Sequence, residues 1–338
     1  MSRFNAVSLL LIAVLAVPSL VVAAEWQVPR LANGQPDLQG LWTNVTRTPL
    51  ERRADLGLQR AYSDAQALQL VNRIRGREAA AANPSDPDRG APSGNSIGSY
   101  NTFWLEQGSD LTVIEGEVRT SLIIEPANGR IPWLPEAQRA PNQLARWLAE
   151  PGVEAFDGPE LQTIGERCLL FFDYRTSESS AGPPLMPMYY NSNYQIIQTD
   201  GYVVIVAEMI NDARIIRLDA EHNDDAIYKW MGDSIGHWQD DTLVVTTRHF
   251  HPQQSHFGAS AEVVVTERFA RSGANQIDYT FTMDDPSVYA EPWTAQMALQ
   301  SLPASARLYE YACHEGNYAL PGILAGARRE EVRAGQSE

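Results

Sequence analysis

The chain has 338 residues, 42 acidic against 26 basic side chains for a formal charge of -16, two cysteines and 44% hydrophobic residues. That is too large for a mini-protein and too apolar for a disordered chain. The acidic excess excludes a nucleic-acid binder that tracks phosphates with clustered positive charge.

Residues 1–24 read as a secretory signal peptide. Arg3 supplies the basic n-region, residues 6–17 the apolar h-region, and Val21 to Ala24 the small residues before cleavage. Pro18 and Ser19 interrupt the run, which falls short of the roughly 20 apolar residues of a membrane span. No later segment is a candidate span. The expected location is therefore periplasmic or extracellular, where Cys168 and Cys313 are expected to pair. Two buried free thiols are the alternative.

Gly34, Pro36 and Asp37 mark an extended arm, and Gly40 to Thr46 a first strand. Ser63 and Gln66 form a capping box for a helix with Leu68, Val71 and Ile74 on one stripe. Residues 78–98 read as a surface loop, so 63–98 is one helical and loop insertion. The period then becomes two, with strands at Tyr100–Leu105, Leu111–Ile114 and Val118–Glu125. A mainly helical insertion covers 134–172. Further strands follow at Tyr194–Gln198, Tyr202–Met209, Ala213–Leu218, Ser234–Trp238, Thr242–His249, Glu262–Ala270, Ile277–Asp284, Trp293–Gln300 and Leu308–Cys313, and 331–338 is a tail.

Short polar links such as Thr199-Asp-Gly201 suit successive antiparallel hairpins. A meander this long must hide its edges. The expected fold is a mainly β, antiparallel up-and-down barrel with helical insertions, in one domain over residues 25–330, with a β-sandwich as the alternative. Gly40-x-Trp42 resembles the glycine-x-tryptophan of lipocalin-like barrels, which implies an indole plugging one barrel end.

Several longer stretches carry a separate resemblance: Gly34 to Trp42, Arg119 to Pro132, Glu166-Arg-Cys168, Gly182-Pro-Pro184, Glu208 to Arg214, Gly232 to Trp238 with Asp241 to Val245, and Tyr309 to Tyr318. Through them the chain resembles a family of exported bacterial proteins of uncharacterised function, abundant in soil and aquatic lineages. The resemblance implies export and a single folded unit, and it assigns no catalytic roles. Asn211 stands where the family leads one to expect histidine.

Alternation assigns faces. Ile277, Tyr279, Phe281 and Met283 form an apolar row opposite Asp278, Thr280, Thr282 and Asp284. Val263, Val265, Glu267 and Phe269 place a carboxylate in another apolar row. If that row faces inward, desolvation disfavours the charge unless a cation or hydrogen bonds compensate. A salt bridge to an arginine, or a register slip, is the structural reading. In the hairpin of Tyr202–Leu218, a turn at Asn211 and Asp212 would bring Glu208 near Arg214, a pair suited to a polar ligand group. Glu310 and His314 share a face of the last expected strand, so acid-base catalysis would fall to Glu267, Glu310 and His314.

Aromatic and amide residues, namely Phe103, Trp104, Tyr189, Tyr190, Asn191, Asn193 and Tyr194, are candidates for a ligand mouth, and Trp238 joins the ligand-binding set. His249, His251 and His256 could offer imidazoles to zinc only if the loop folds back, so no metal site is assigned. No phosphate-binding glycine loop or nucleophile elbow is present, and no cofactor is assigned. Asn44-Val-Thr46 is a glycosylation sequon only in hosts that use it. The leading expectation is an exported barrel holding a small, partly apolar molecule. A cofactor-independent lyase, isomerase or hydrolase, and a structural envelope protein, are the alternatives.

Overall fold

Alternating runs of β-branched and aromatic residues between short polar turns build a closed ring of nine strands. The computed structural model describes residues 26–81, 88, 108, 110–139, 143–170, 182–187, 191–224, 227–254 and 256–335. The strands are β1 (Gly40–Thr43), β2 (Val113–Ile114), β3 (Glu117–Val118), β4 (Ile123–Glu125), β5 (Asn193–Gln198), β6 (Tyr202–Ala207), β7 (Ala213–Leu218), β8 (Asp233–Gln239), β9 (Thr242–Arg248), β10 (Val264–Gly273), β11 (Gln276–Asp284) and β12 (Trp293–Ser301). The ring runs β1-β5-β6-β7-β8-β9-β10-β11-β12 and closes where Trp42 and Thr43 pair with Ser301 and Gln300. Strand β4 takes the other part of that β12 edge, with Glu125 opposite Thr294. β2 and β3 form a separate ribbon.

Closure excludes the sandwich. It also makes the barrel mixed where a purely antiparallel one was expected, because β7 and β8 run parallel, with Ile216 opposite Ser234. The reason is parity. Strands that alternate direction around a ring must be even in number, so nine require one parallel junction. That junction needs a crossover rather than a hairpin, supplied by residues 219–232.

One parity of each strand fills the interior. Trp42, Tyr194, Ile205, Val245, Phe269, Tyr279 and Phe281 are all buried, as are the expected rows Val263–Phe269 and Ile277–Met283. The Trp42 indole stays inside because its Nε1–H donates to the Leu38 carbonyl at 3.0 Å. Rings interlock at centroid distances of 4.8 Å for Phe269–Tyr279 and 5.6 Å for Phe281–Trp293.

The expected capping box starts helix α1 (Asp64–Ala81): Ser63 N–H donates to Gln66 Oε1 at 2.9 Å and Gln66 N–H to Ser63 Oγ at 3.4 Å. Its covered face runs through Ala67, Val71 and Ile74, while Leu68 points to solvent. Short helices α2 (Pro135–Arg139) and α3 (Gln143–Leu148) occupy the second insertion.

The expected strand Leu308–Cys313 does not form. Each edge of β12 is already taken, one by β11 and the other shared by β1 and β4, so the closed ring offers no partner. The chain instead forms α4 (Cys313–Gly316) and α5 (Ala319–Gly335), which absorbs residues expected as tail. Cys168 and Cys313 form a disulfide across 145 residues of sequence, tying this C-terminal segment to the second insertion. No described helix is long and apolar enough to cross a membrane. Residues 1–24, Tyr100–Leu105 with Phe103 and Trp104, and Tyr189 and Tyr190 lie outside the described residues.

The crossover ends at Gly232, whose φ is +70 and whose added Cβ would lie 2.6 Å from Thr247 Cγ2 and 2.7 Å from the Arg248 carbonyl. Gly232→Ala is expected to cost about 2 to 4 kcal/mol, from backbone strain plus overpacking. Urea unfolding followed by tryptophan fluorescence checks it.

Candidate functional site

Inward parity places Arg214 beside Ile216 on β7, and Glu267 between Val265 and Phe269 on β10. The two strands stand three places apart around the ring, and the side chains meet across the lumen. Arg214 Nη1 donates to Glu267 Oε2 at 2.8 Å and Nη2 to Oε1 at 3.2 Å, a bidentate pair with side-chain exposures of 3% and 0%. The alternation therefore identified the interior carboxylate, and the compensating cation is Arg214.

Two phenols extend this centre. Tyr279, inward on β11, donates to Glu267 Oε1 at 2.7 Å, and its oxygen accepts the Leu185 N–H at 2.9 Å. Tyr194, inward on β5, accepts from Asn44 Nδ2 at 3.2 Å and donates to the Met186 carbonyl at 3.4 Å. Burial pushes both hydroxyls above the ordinary tyrosine range. The Glu267 charge adds to this at Tyr279, while the Asn44 hydrogen bond and the Arg214 charge oppose it at Tyr194. Leu185 and Met186, on the Gly182-Pro-Pro184 segment, are themselves buried. Two buried atoms in this cluster, Arg214 Nε and Asn44 Oδ1, have no hydrogen-bond partner among the described residues. Burial of Asn44 also removes it as a glycosylation site.

Other expected site residues fall elsewhere. Glu208 does not pair with Arg214. Val204 and Val206 lie on the outer wall, and the chain turns out of β6 at Glu208, which has helical dihedrals. There the buried Glu208 carboxylate accepts from Asn191 Nδ2 at 2.7 Å, Asn193 Nδ2 at 3.4 Å and the Tyr309 N–H at 3.2 Å. It pins the C-terminal segment to the barrel rim. Asp212 is a turn residue whose Oδ1 accepts the Ala213 N–H. Trp238 is partly buried on the inward parity of β8, but Ile216 is level with Ser234, so Trp238 sits six residues beyond the level of Arg214. That is about 20 Å at about 3.3 Å per residue. Glu310 and His314 are both exposed, because the strand expected to carry them is absent. They are not part of the interior centre.

The histidines also separate. His251 stacks on Trp230 at 4.0 Å, His249 meets His222 edge-on at 5.8 Å, and His256 is buried against Phe250. No group of three or more His, Cys, Asp or Glu among the described residues could hold a metal ion.

A second polar cluster was not anticipated. Asp233 is buried at the parallel junction and accepts from Arg217 Nη2 at 2.8 Å, Lys229 Nζ at 2.8 Å, the Asn223 N–H at 3.0 Å and the Asn223 side chain, with His222 Nδ1 at 3.2 Å. Burial alone would raise this carboxyl, but the hydrogen bonds from Lys229, the Asn223 backbone and His222 outweigh it and hold it well below the usual carboxylate range. Four of these donors belong to the crossover, so the cluster fastens the connection that parity demands. The only lysine in the chain, four residues before Asp233, was its sequence signal.

The chain matches no protein-family model, no curated protein and no solved structure.

Burial pushes the His256 imidazole from 6.5 down to about 3. The unfolded chain therefore binds a proton in this range that the folded chain does not, and stability falls as pH drops from about 6.5 toward 3. Its limiting slope is about 1.4 kcal/mol per pH unit. His256→Gln is expected to flatten this limb in urea unfolding measured between those pH values.

Proposed function

We propose that this chain is an exported protein that binds a small, partly apolar molecule inside its barrel, against the centre formed by Arg214, Glu267, Tyr279, Tyr194 and Asn44. One observation carries the reading. The Arg214 Nε–H and the Asn44 Oδ1, both in side chains at most 3% exposed, lack partners among the described residues. A buried donor or acceptor left unmet costs about 1 to 3 kcal/mol. A bound molecule that meets both would relieve that cost. Export is supported by the signal-peptide pattern of residues 1–24 and by the disulfide between Cys168 and Cys313.

Binding is favoured over acid-base catalysis by how Glu267 is engaged. Both of its oxygens already accept from Arg214, and one also accepts from Tyr279. A general base needs a lone pair aimed at the substrate proton. The surface positions of Glu310 and His314 remove the other acid-base candidates from the interior.

Native mass spectrometry of the protein purified from its exporting host is expected to show a retained small molecule. Arg214→Met alone should cost about 3 to 5 kcal/mol by stranding Glu267. Arg214→Met with Glu267→Leu should stay folded, within about 2 kcal/mol of wild type, and lose the molecule. Wild-type protein that carries nothing, or a folded double variant that still carries the molecule, overturns the reading.

A further inference from the structure

Among the described residues of the interior centre, Arg214 and Glu267 are the only charged side chains, and they neutralise one another bidentately. An anionic head group placed there would face Glu267 with Arg214 already committed, and a cationic one would face Arg214 with Glu267 committed. In a low-dielectric interior either arrangement leaves a buried charge uncompensated. Among the described residues of this centre, the atoms left to recognise a ligand are one donor, Arg214 Nε–H, and one acceptor, Asn44 Oδ1. Asn44 bonds the Tyr194 hydroxyl directly, and the Arg214 charge acts on that same hydroxyl.

The chain itself supplies a second observation. Leu185 N–H donates to Tyr279 and the Met186 carbonyl accepts from Tyr194, so the centre already holds an uncharged donor and acceptor carried between two apolar side chains that are 0% and 2% exposed. The interior thus binds a neutral amide backbone with an apolar body as part of its own fold.

Resting on the reading of the interior as a ligand site, we propose that it takes an electroneutral head offering a hydrogen-bond acceptor and donor side by side, a primary amide or a hydroxyl, on an apolar body. It discriminates against carboxylates and amines. The discrimination is by uncompensated charge rather than by size.

The test uses one apolar body with four heads: octanamide, octanol, octanoate and octylammonium, titrated calorimetrically at neutral pH into the full-length mature protein. The amide and the alcohol are expected to bind at least about tenfold more tightly than either ion. Equal or tighter binding of an ion overturns the head-group assignment and leaves the ligand site standing. No binding by any of the four overturns both. Glu267→Gln removes the negative charge and leaves Arg214 cationic, so the octanoate-to-octanamide affinity ratio is expected to move about tenfold toward octanoate. An unchanged ratio in folded Glu267→Gln protein overturns the assignment, and the wild-type ratio decides the question if that variant does not fold.

Discussion

A bidentate ion pair across the interior of a barrel is an expensive way to hold a lumen together. Desolvating each ion costs several kcal/mol, and the pair recovers this only with good geometry and satisfied neighbours. Arg214 and Glu267 have the geometry, at 2.8 and 3.2 Å, and Tyr279 takes a further carboxylate lone pair. The arginine Nε remains unmet among the described residues. Well-packed apolar residues of similar volume would stabilise the barrel at least as well, so stability alone does not account for the pair. The proposed binding role offers a reason, because a charge-neutral polar centre inside an aromatic lumen suits a mainly apolar molecule with a polar head.

The wall supports that centre through closure. The two residues are 53 positions apart and stand on strands separated by β8 and β9, so their meeting depends on ring order and register rather than on any local turn. Nine strands force one parallel junction, and the buried Asp233 cluster fastens the crossover that makes it. At the rim, Glu208 holds the backbone of Tyr309, and the Cys168–Cys313 disulfide anchors the same C-terminal segment. Two of the buried carboxylates therefore serve connections, and Glu267 serves the lumen.

What could be read from the sequence follows from what is local. The period of two on Ile277–Met283 and Val263–Phe269 needs only neighbouring residues, and it placed Glu267 among inward side chains correctly. Gly40-x-Trp42 and the capping box at Ser63 are likewise local signals. The partner of Arg214 was not legible, because proximity along the Tyr202–Leu218 hairpin favoured Glu208, while the turn at Glu208 takes that carboxylate off the strand face. Leu308–Cys313 has strand-like composition, but its conformation is set by the absence of a free edge, a property of the whole ring. Asn44 read as a sequon because its inward direction depends on the pairing of β1, and the Asp233 cluster gave no local pattern because its donors arrive by the crossover.

The central claim is that the polar centre exists for a molecule that the chain does not itself provide. A high-resolution crystal structure of the protein as purified from its native host tests this most directly. The account predicts non-protein density in the lumen, within hydrogen-bond distance of Arg214 Nε and Asn44 Oδ1. Both atoms satisfied by side chains or backbone of the chain itself would contradict it.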